Sequence, residues 1–234
     1  MHGCPAVWTI HIPLCIALLC MTSSAGAQTS EPLSVAAGVE WATSGAYYDG
    51  PQYAPFGTSA GVRRLTPGEQ RRLWLSADLR LRRSLALTAG GYFGRGTASD
   101  RYCANEDLLC SPDRDRDVTN FGMELGLRLT MPLEPLGALK FGAGVIRETV
   151  NVGKFYHEFG EENFPMSGVF ISAFFRRHAA GPVYLELGAI YRRLQVSTEK
   201  MAESQQKSCG FCSREYKEHI ARSASVRLGI GAGW

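Results

Sequence analysis

The ten residues SVRLGIGAGW, Ser225–Trp234, put Val226, Leu228, Ile230, Ala232 and Trp234 on one parity and Ser225, Arg227, Gly229, Gly231 and Gly233 on the other. A period of two is the pattern of a β-strand, whose successive side chains point to opposite faces. One face is apolar to the last residue and the other carries only Arg, Ser and Gly. Such a strand needs hydrogen-bonding partners on both edges and something other than water against its apolar side. The nature of that medium decides the fold.

Seven further segments alternate in the same way: LSVAAGVEW (33–41), RLWLSADLRLR (72–82), SLALTAGGYFG (84–94), NFGMELGLRLTM (120–131), ALKFGAGVI (138–146), GVFISAFFR (168–176) and PVYLELGAIYR (182–192). The terminal strand begins at about Ile220. In 120–131 the stripe Phe121, Met123, Leu125, Leu127, Leu129, Met131 opposes Gly122, Glu124, Gly126, Arg128 and Thr130. No long stripe of period 3.6 competes with these segments. Strands of roughly nine to twelve residues match the length needed to cross a bilayer at a tilt and exceed the usual strand of soluble domains. The connections alternate between long and short: long polar stretches follow the first, third, fifth and seventh segments, and RRS, PLEPLG and HAAG follow the second, fourth and sixth. Long loops therefore gather at one end, tight turns and both termini at the other.

The apolar run IPLCIALLCM (12–21) is too short to span a bilayer as a helix and is followed by Ala25 and Ala27 in the small-x-small pattern of a signal-peptidase site. This predicts a signal peptide over residues 1–27, although the preceding MHGCPAVWTIH has no Lys or Arg. A lipid anchor on Cys20 fits less well, because Leu19 stands where a small residue is expected. The mature chain is then one domain, residues 28–234. Its net charge of +3 is too mild for a nucleic-acid partner.

Signal sequence, even strand count, outward apolar alternation, short turns, long loops and the terminal aromatic together make the chain resemble the small eight-stranded bacterial outer-membrane β-barrels of the OmpA/OmpX type. The resemblance covers nearly all of the mature chain. It implies an all-β, antiparallel, up-and-down transmembrane barrel in the outer membrane with its long loops extracellular. It also implies that Val226, Leu228, Ile230 and Trp234 form the C-terminal signal read by the barrel-assembly machinery. The physics agrees, because hydrocarbon offers no hydrogen bonds and a sheet spans it only when closed on itself. A secreted lipocalin-like barrel or β-sandwich is the alternative, and it would turn every leucine inward.

On the barrel reading the inward parity holds Glu40, Asp78, Glu124 and Glu186 with Arg80, Arg128, Lys140 and Arg227, four acids against four bases, which predicts a salt-bridge network in the lumen. Inward glycines make room for those side chains. Arg71, Arg72, Arg147, Arg192, Arg193, Lys217 and Arg222 fall near the outer strand ends, where arginine and lysine could grip lipopolysaccharide phosphates or simply form a solvated rim. Cys103 and Cys110 share one outer loop, and Cys209 and Cys212 stand in CGFC of another. Four cysteines in an exported chain suggest two disulfides within the loops, with a redox CxxC or a four-thiolate zinc site as the alternative. His157, His178 and His219 lack the His-x-Ser pair of the lipid A deacylases that share this barrel type. A palmitoyltransferase-like dispersion of His, Asp and Ser over the loops has no spacing to match. The expectation is therefore a non-enzymatic barrel without cofactor, acting as a structural or surface-interaction protein through its loops, with an extracellular ligand as a further partner. A narrow pore or hydrophobic-ligand transporter like OmpW is the second class, and a lipid A-modifying enzyme the third.

Overall fold

The computed structural model describes residues 31–44, 48–53, 60–104, 109–110, 114–153, 162–196 and 220–234. The segment read as a signal peptide, residues 1–27, lies outside them. All regular structure among the described residues is β: β1 (Leu33–Ser44), β2 (Tyr48–Tyr53), β3 (Ala60–Arg80), β4 (Leu85–Ala104), β5 (Leu109–Cys110), β6 (Arg114–Leu133), β7 (Gly137–Val152), β8 (Glu162–Ala180), β9 (Val183–Val196) and β10 (Ile220–Gly233). Eight of these close an antiparallel barrel in the order β3-β1-β10-β9-β8-β7-β6-β4, with β4 returning to β3. β2 and β5 are short additions at the long-loop end, paired to β3 and β4. Closure leaves the barrel wall without a free edge. At the turn end the terminal strands meet: the Leu33 amide donates to the Trp234 carbonyl at 3.1 Å and the Trp234 amide to the Leu33 carbonyl at 2.8 Å.

The leucines of the apolar stripes face outward. Leu73, Leu75, Leu79, Met123, Leu125, Leu127, Leu129, Val145, Ile171, Leu187, Leu228 and Ile230 are all exposed, while Glu40, Arg227 and Glu186 on the opposite parity are buried. A wall of exposed leucine around a charged interior is the inverse of a soluble barrel, so the lipocalin and sandwich architectures are excluded. On β6 the ten steps from Phe121 to Met131 rise ~26 Å at about 3.4 Å per residue and a tilt of about 40°, the height of a bilayer's apolar band. Trp41, Phe93, Phe121 and Tyr191 end that band at the loop side, and Trp234 lies at the turn side. These are the aromatic girdles of a membrane barrel.

The strands run further than the alternation predicts. Segment 120–131 becomes β6, Arg114–Leu133, and segment 84–94 becomes β4, Leu85–Ala104, so stretches expected as loop are ladder. Beyond the band the polarity of the two faces exchanges. Arg147 and Asn151 of β7 face outward, while Ile146, Val150 and Val152 pack inward with Leu65, Ala98, Val118, Phe164, Met166, Leu194 and Val196. Past the membrane water lies outside, so the barrel must bury apolar residues in its own lumen as a soluble domain does. A search for apolar alternation on a single parity stops where the apolar parity changes, which is why these extensions read as loops.

Candidate functional site: the lumen and the outer rim

The interior is filled by two ionic clusters stacked along the barrel. In the one nearer the turns, Asp78 of β3 meets Arg128 at 3.0 Å and Lys140 at 2.7 Å, and Arg176 of β8 meets Glu186 at 3.1 Å and Asp78 at 3.5 Å. Arg128 and Lys140 also approach Glu186 at 3.7 and 3.9 Å. In the second, Glu40 of β1 accepts from Arg72, Arg192 and Arg227, with Arg72 at 3.2 Å and Arg192 at 2.8 Å. Glu124 accepts from Arg192 at 2.8 Å and Arg227 at 2.9 Å. Arg72 continues to Glu148 at 3.2 Å, and the Tyr92 hydroxyl donates to the same carboxylate at 2.6 Å. Gln70 and Asn120 close this layer, the Asn120 amide donating to Gln70 at 2.9 Å and to Glu148 at 3.1 Å. A third pair, Arg116 and Asp100 at 2.9 Å, lies towards the loops.

Aromatic rings sit among the guanidiniums. Arg176 lies 3.5 Å above the Tyr184 ring, and Arg72 and Arg192 lie 4.7 and 4.8 Å from the centre of Tyr92. Each tyrosine lies over a cross-strand glycine, Tyr92 over Gly122 and Tyr184 over Gly231, and a Cβ on either glycine would stand 2.1 or 2.3 Å from the ring. The inward glycines thus leave room for aromatic rings as well as for long cations.

Of the residues expected in the lumen network, Glu40, Asp78, Glu124, Glu186, Arg128, Lys140 and Arg227 meet there, with Trp74 beside them 5.3 Å from Arg227. Arg80 does not. It ends β3, half-buried at the turn, and joins none of these pairs. Two rim expectations are corrected: Arg72 and Arg192 are buried in the lumen. The reason is parity. In each of the doublets Arg71-Arg72, Arg176-Arg177 and Arg192-Arg193 a strand can send only one side chain inward, and the carboxylates take Arg72, Arg176 and Arg192. Extending the parity of Trp74 by one inward position and that of Glu186 by three would have found the first and last of these. Arg176, Glu148, Arg116, Asp100, Gln70 and Asn120 went unread because they fall at or beyond the ends of the apolar stripes.

Arg71, Arg147, Arg193 and Arg222 are exposed on the outer wall at the loop end of the apolar band, with Arg95 beside Arg71. Lys217 lies outside the described residues, as do Cys209, Cys212, His157 and His219. His178 stands exposed near the turns, away from the loops. Val226, Leu228 and Ile230 line the outward face of β10, and Trp234, exposed, follows its last residue.

Cys103 is disulfide-bonded, and its Cα partner across β4 and β5 is Cys110. In a C209S/C212S chain, a maleimide probe is expected to leave the folded protein unlabelled until a reductant is added. A bridge from Cys103 to Cys110 would close so short a loop that it stabilises by about 2 kcal/mol, local to the loop. Labelling before reduction would refute the bridge.

No family model and no curated protein matches the chain. The fold is found among solved structures. The outer membrane protein OprG from Pseudomonas aeruginosa superposes with a TM-score of 0.50 at 7% identity, covering 86% of this chain and 95% of that one. Ail, the attachment invasion locus protein of Yersinia pestis, solved with the heparin analogue sucrose octasulfate, gives 0.48 at 9% identity over 86% and 97%. Neisserial surface protein A gives 0.45 at 12% identity over 87% and 97%. The chain has the fold of the small eight-stranded outer-membrane barrels.

Proposed function

We propose that this protein is an integral outer-membrane barrel that serves as a structural and surface-interaction scaffold, its loops reaching the exterior and its wall in contact with membrane lipid. The observation that carries this reading is the filled lumen. From the turn end upward the axis meets the Asp78–Glu186 cluster, the Glu40–Glu124–Glu148 cluster, and then the apolar packing of Val150, Phe164, Met166 and Leu194. An open aqueous path would have to hold these charges apart in water, whereas here they neutralise one another within hydrogen-bonding distance. With the axis filled, exchange with the surroundings is left to the loops and the outer wall.

Reconstituted into a planar bilayer, single barrels are expected to give no steady conductance. A persistent current whose ion selectivity reverses in E124Q or R128Q would replace the scaffold by a pore. The loop arm of the proposal is tested by exchanging residues 197–219 for a short Gly-Asn turn. The barrel should still insert, while any surface phenotype of the deletion strain is no longer restored; full restoration would refute a role for that loop.

A further inference from the structure

We infer that the outer wall across β8, β9, β10 and β1 carries a discrete site for one phosphorylated, multiply acylated glycolipid of the outer leaflet, its phosphate between Arg193 and Arg222 and its acyl chains in the groove below. This goes beyond the scaffold function, since it rests on the lipid-facing wall and not on the loops. Arg222 of β10 and Arg193 of β9 are direct cross-strand partners, and both are exposed. Like charges directly opposite on a sheet repel, with Cβ atoms about 5 Å apart. Arg71 of β3, opposite Trp41 and two strands from Arg222, has Glu69 at 3.8 Å. Among the described residues no ion pair relieves Arg193 or Arg222, whose nearest outward neighbours are Val169, Ile220 and Gln195. A phosphate between them would turn the repulsion into two charge-assisted, forked hydrogen bonds, the geometry in which arginine holds phosphate best.

Directly below, one outward residue further into the apolar band, the wall is hollow. A groove of about 810 Å³ has Ala173, Ala189 and Ala224 for its floor and Trp41, Tyr191 and Ile171 among its walls, with Glu69, the ion partner of Arg71, at its β3 end. Ala224 pairs with Tyr191 in the same ladder in which Arg222 pairs with Arg193, so charged lip and apolar trough are consecutive steps of two strands. The small residues let acyl chains lie against the backbone, where larger side chains would hold them off. An anionic head at the interface above apolar chains in the band is the order this wall presents, and Arg147 on β7 adds a further cation on the same side. A protein partner would need carboxylates at the lip and a matching apolar ridge within the bilayer. A lipid brings both features in one molecule at the correct depth.

The test uses the folded chain in detergent, with hexa-acylated, bis-phosphorylated lipid A as probe and native mass spectrometry as readout. The wild type is expected to retain one lipid per chain. R193Q/R222Q and, separately, the groove-filling A189W should each weaken retention about tenfold or more, and dephosphorylated lipid A should bind the wild type as weakly. R71Q/R95Q, which removes two rim charges on β3 and β4 and leaves the Arg193–Arg222 pair in place, should bind as the wild type does. Equal retention by R193Q/R222Q and wild type would overturn the site, and so would equal weakening by R71Q/R95Q, which would mean that rim charge alone attracts the lipid. Migration on unboiled gels confirms that each variant is folded, and A224L serves if A189W does not insert. A folded barrel without lipid retention therefore removes this inference and leaves the scaffold reading intact.

Discussion

Replacing Glu40 with alanine is expected to destabilise the folded barrel by about 3–5 kcal/mol, as removing one partner from a buried ionic network does. Glu40 is fully buried and accepts from three guanidiniums, Arg72, Arg192 and Arg227. Without it Arg72 keeps only Glu148 as a carboxylate partner, and Arg192 and Arg227 must share Glu124. Three cations would then stand around two carboxylates with little water to screen them. E40Q, which keeps the shape and one acceptor oxygen but loses the charge and turns an amide donor towards the guanidiniums, should fall between alanine and wild type. Urea titration in detergent micelles, followed by the difference in migration between boiled and unboiled samples, gives the numbers. A loss below about 1 kcal/mol for E40A would show that the lumen is wet and the network dispensable.

Replacing Leu127 with arginine should cost roughly 2–4 kcal/mol of folding stability in a bilayer. Leu127 is 49% exposed on the outer wall, midway along the stripe from Phe121 to Met131, so its side chain meets hydrocarbon at the depth where a cation is least tolerated. The same substitution at Asn151, exposed on β7 beyond the apolar band, meets water and should change stability by less than about 0.5 kcal/mol. The contrast between the two positions measures where the membrane ends. Equal costs, or a silent L127R, would contradict the assignment of the outer face.

The division of each strand into an apolar and a charged face was legible in the alternation itself, whereas which face turns outward was decided by the structure. Leu73, Leu125 and Ile230 share one parity with the rest of the apolar stripe, Asp78, Glu124 and Arg227 share the other, and a strand's period of two admits no third arrangement. The alternation of long and short connections likewise told which end carries the loops, because antiparallel neighbours force consecutive connections to opposite ends. Parity is a local property, and these conclusions needed only local information. Which acid meets which base was decided across the lumen, by strands far apart in the chain: Glu40 finds Arg192, and Arg72 finds Glu148. Those pairings depend on barrel register and on how far each side chain reaches. The carboxylates that this register brought together took Arg72, Arg176 and Arg192 from their doublets, and the register seated Tyr92 over Gly122. The length of the wall above the membrane also had to come from the tertiary structure, because there the solvent outside changes from lipid to water and the apolar residues exchange faces while the backbone ladder continues.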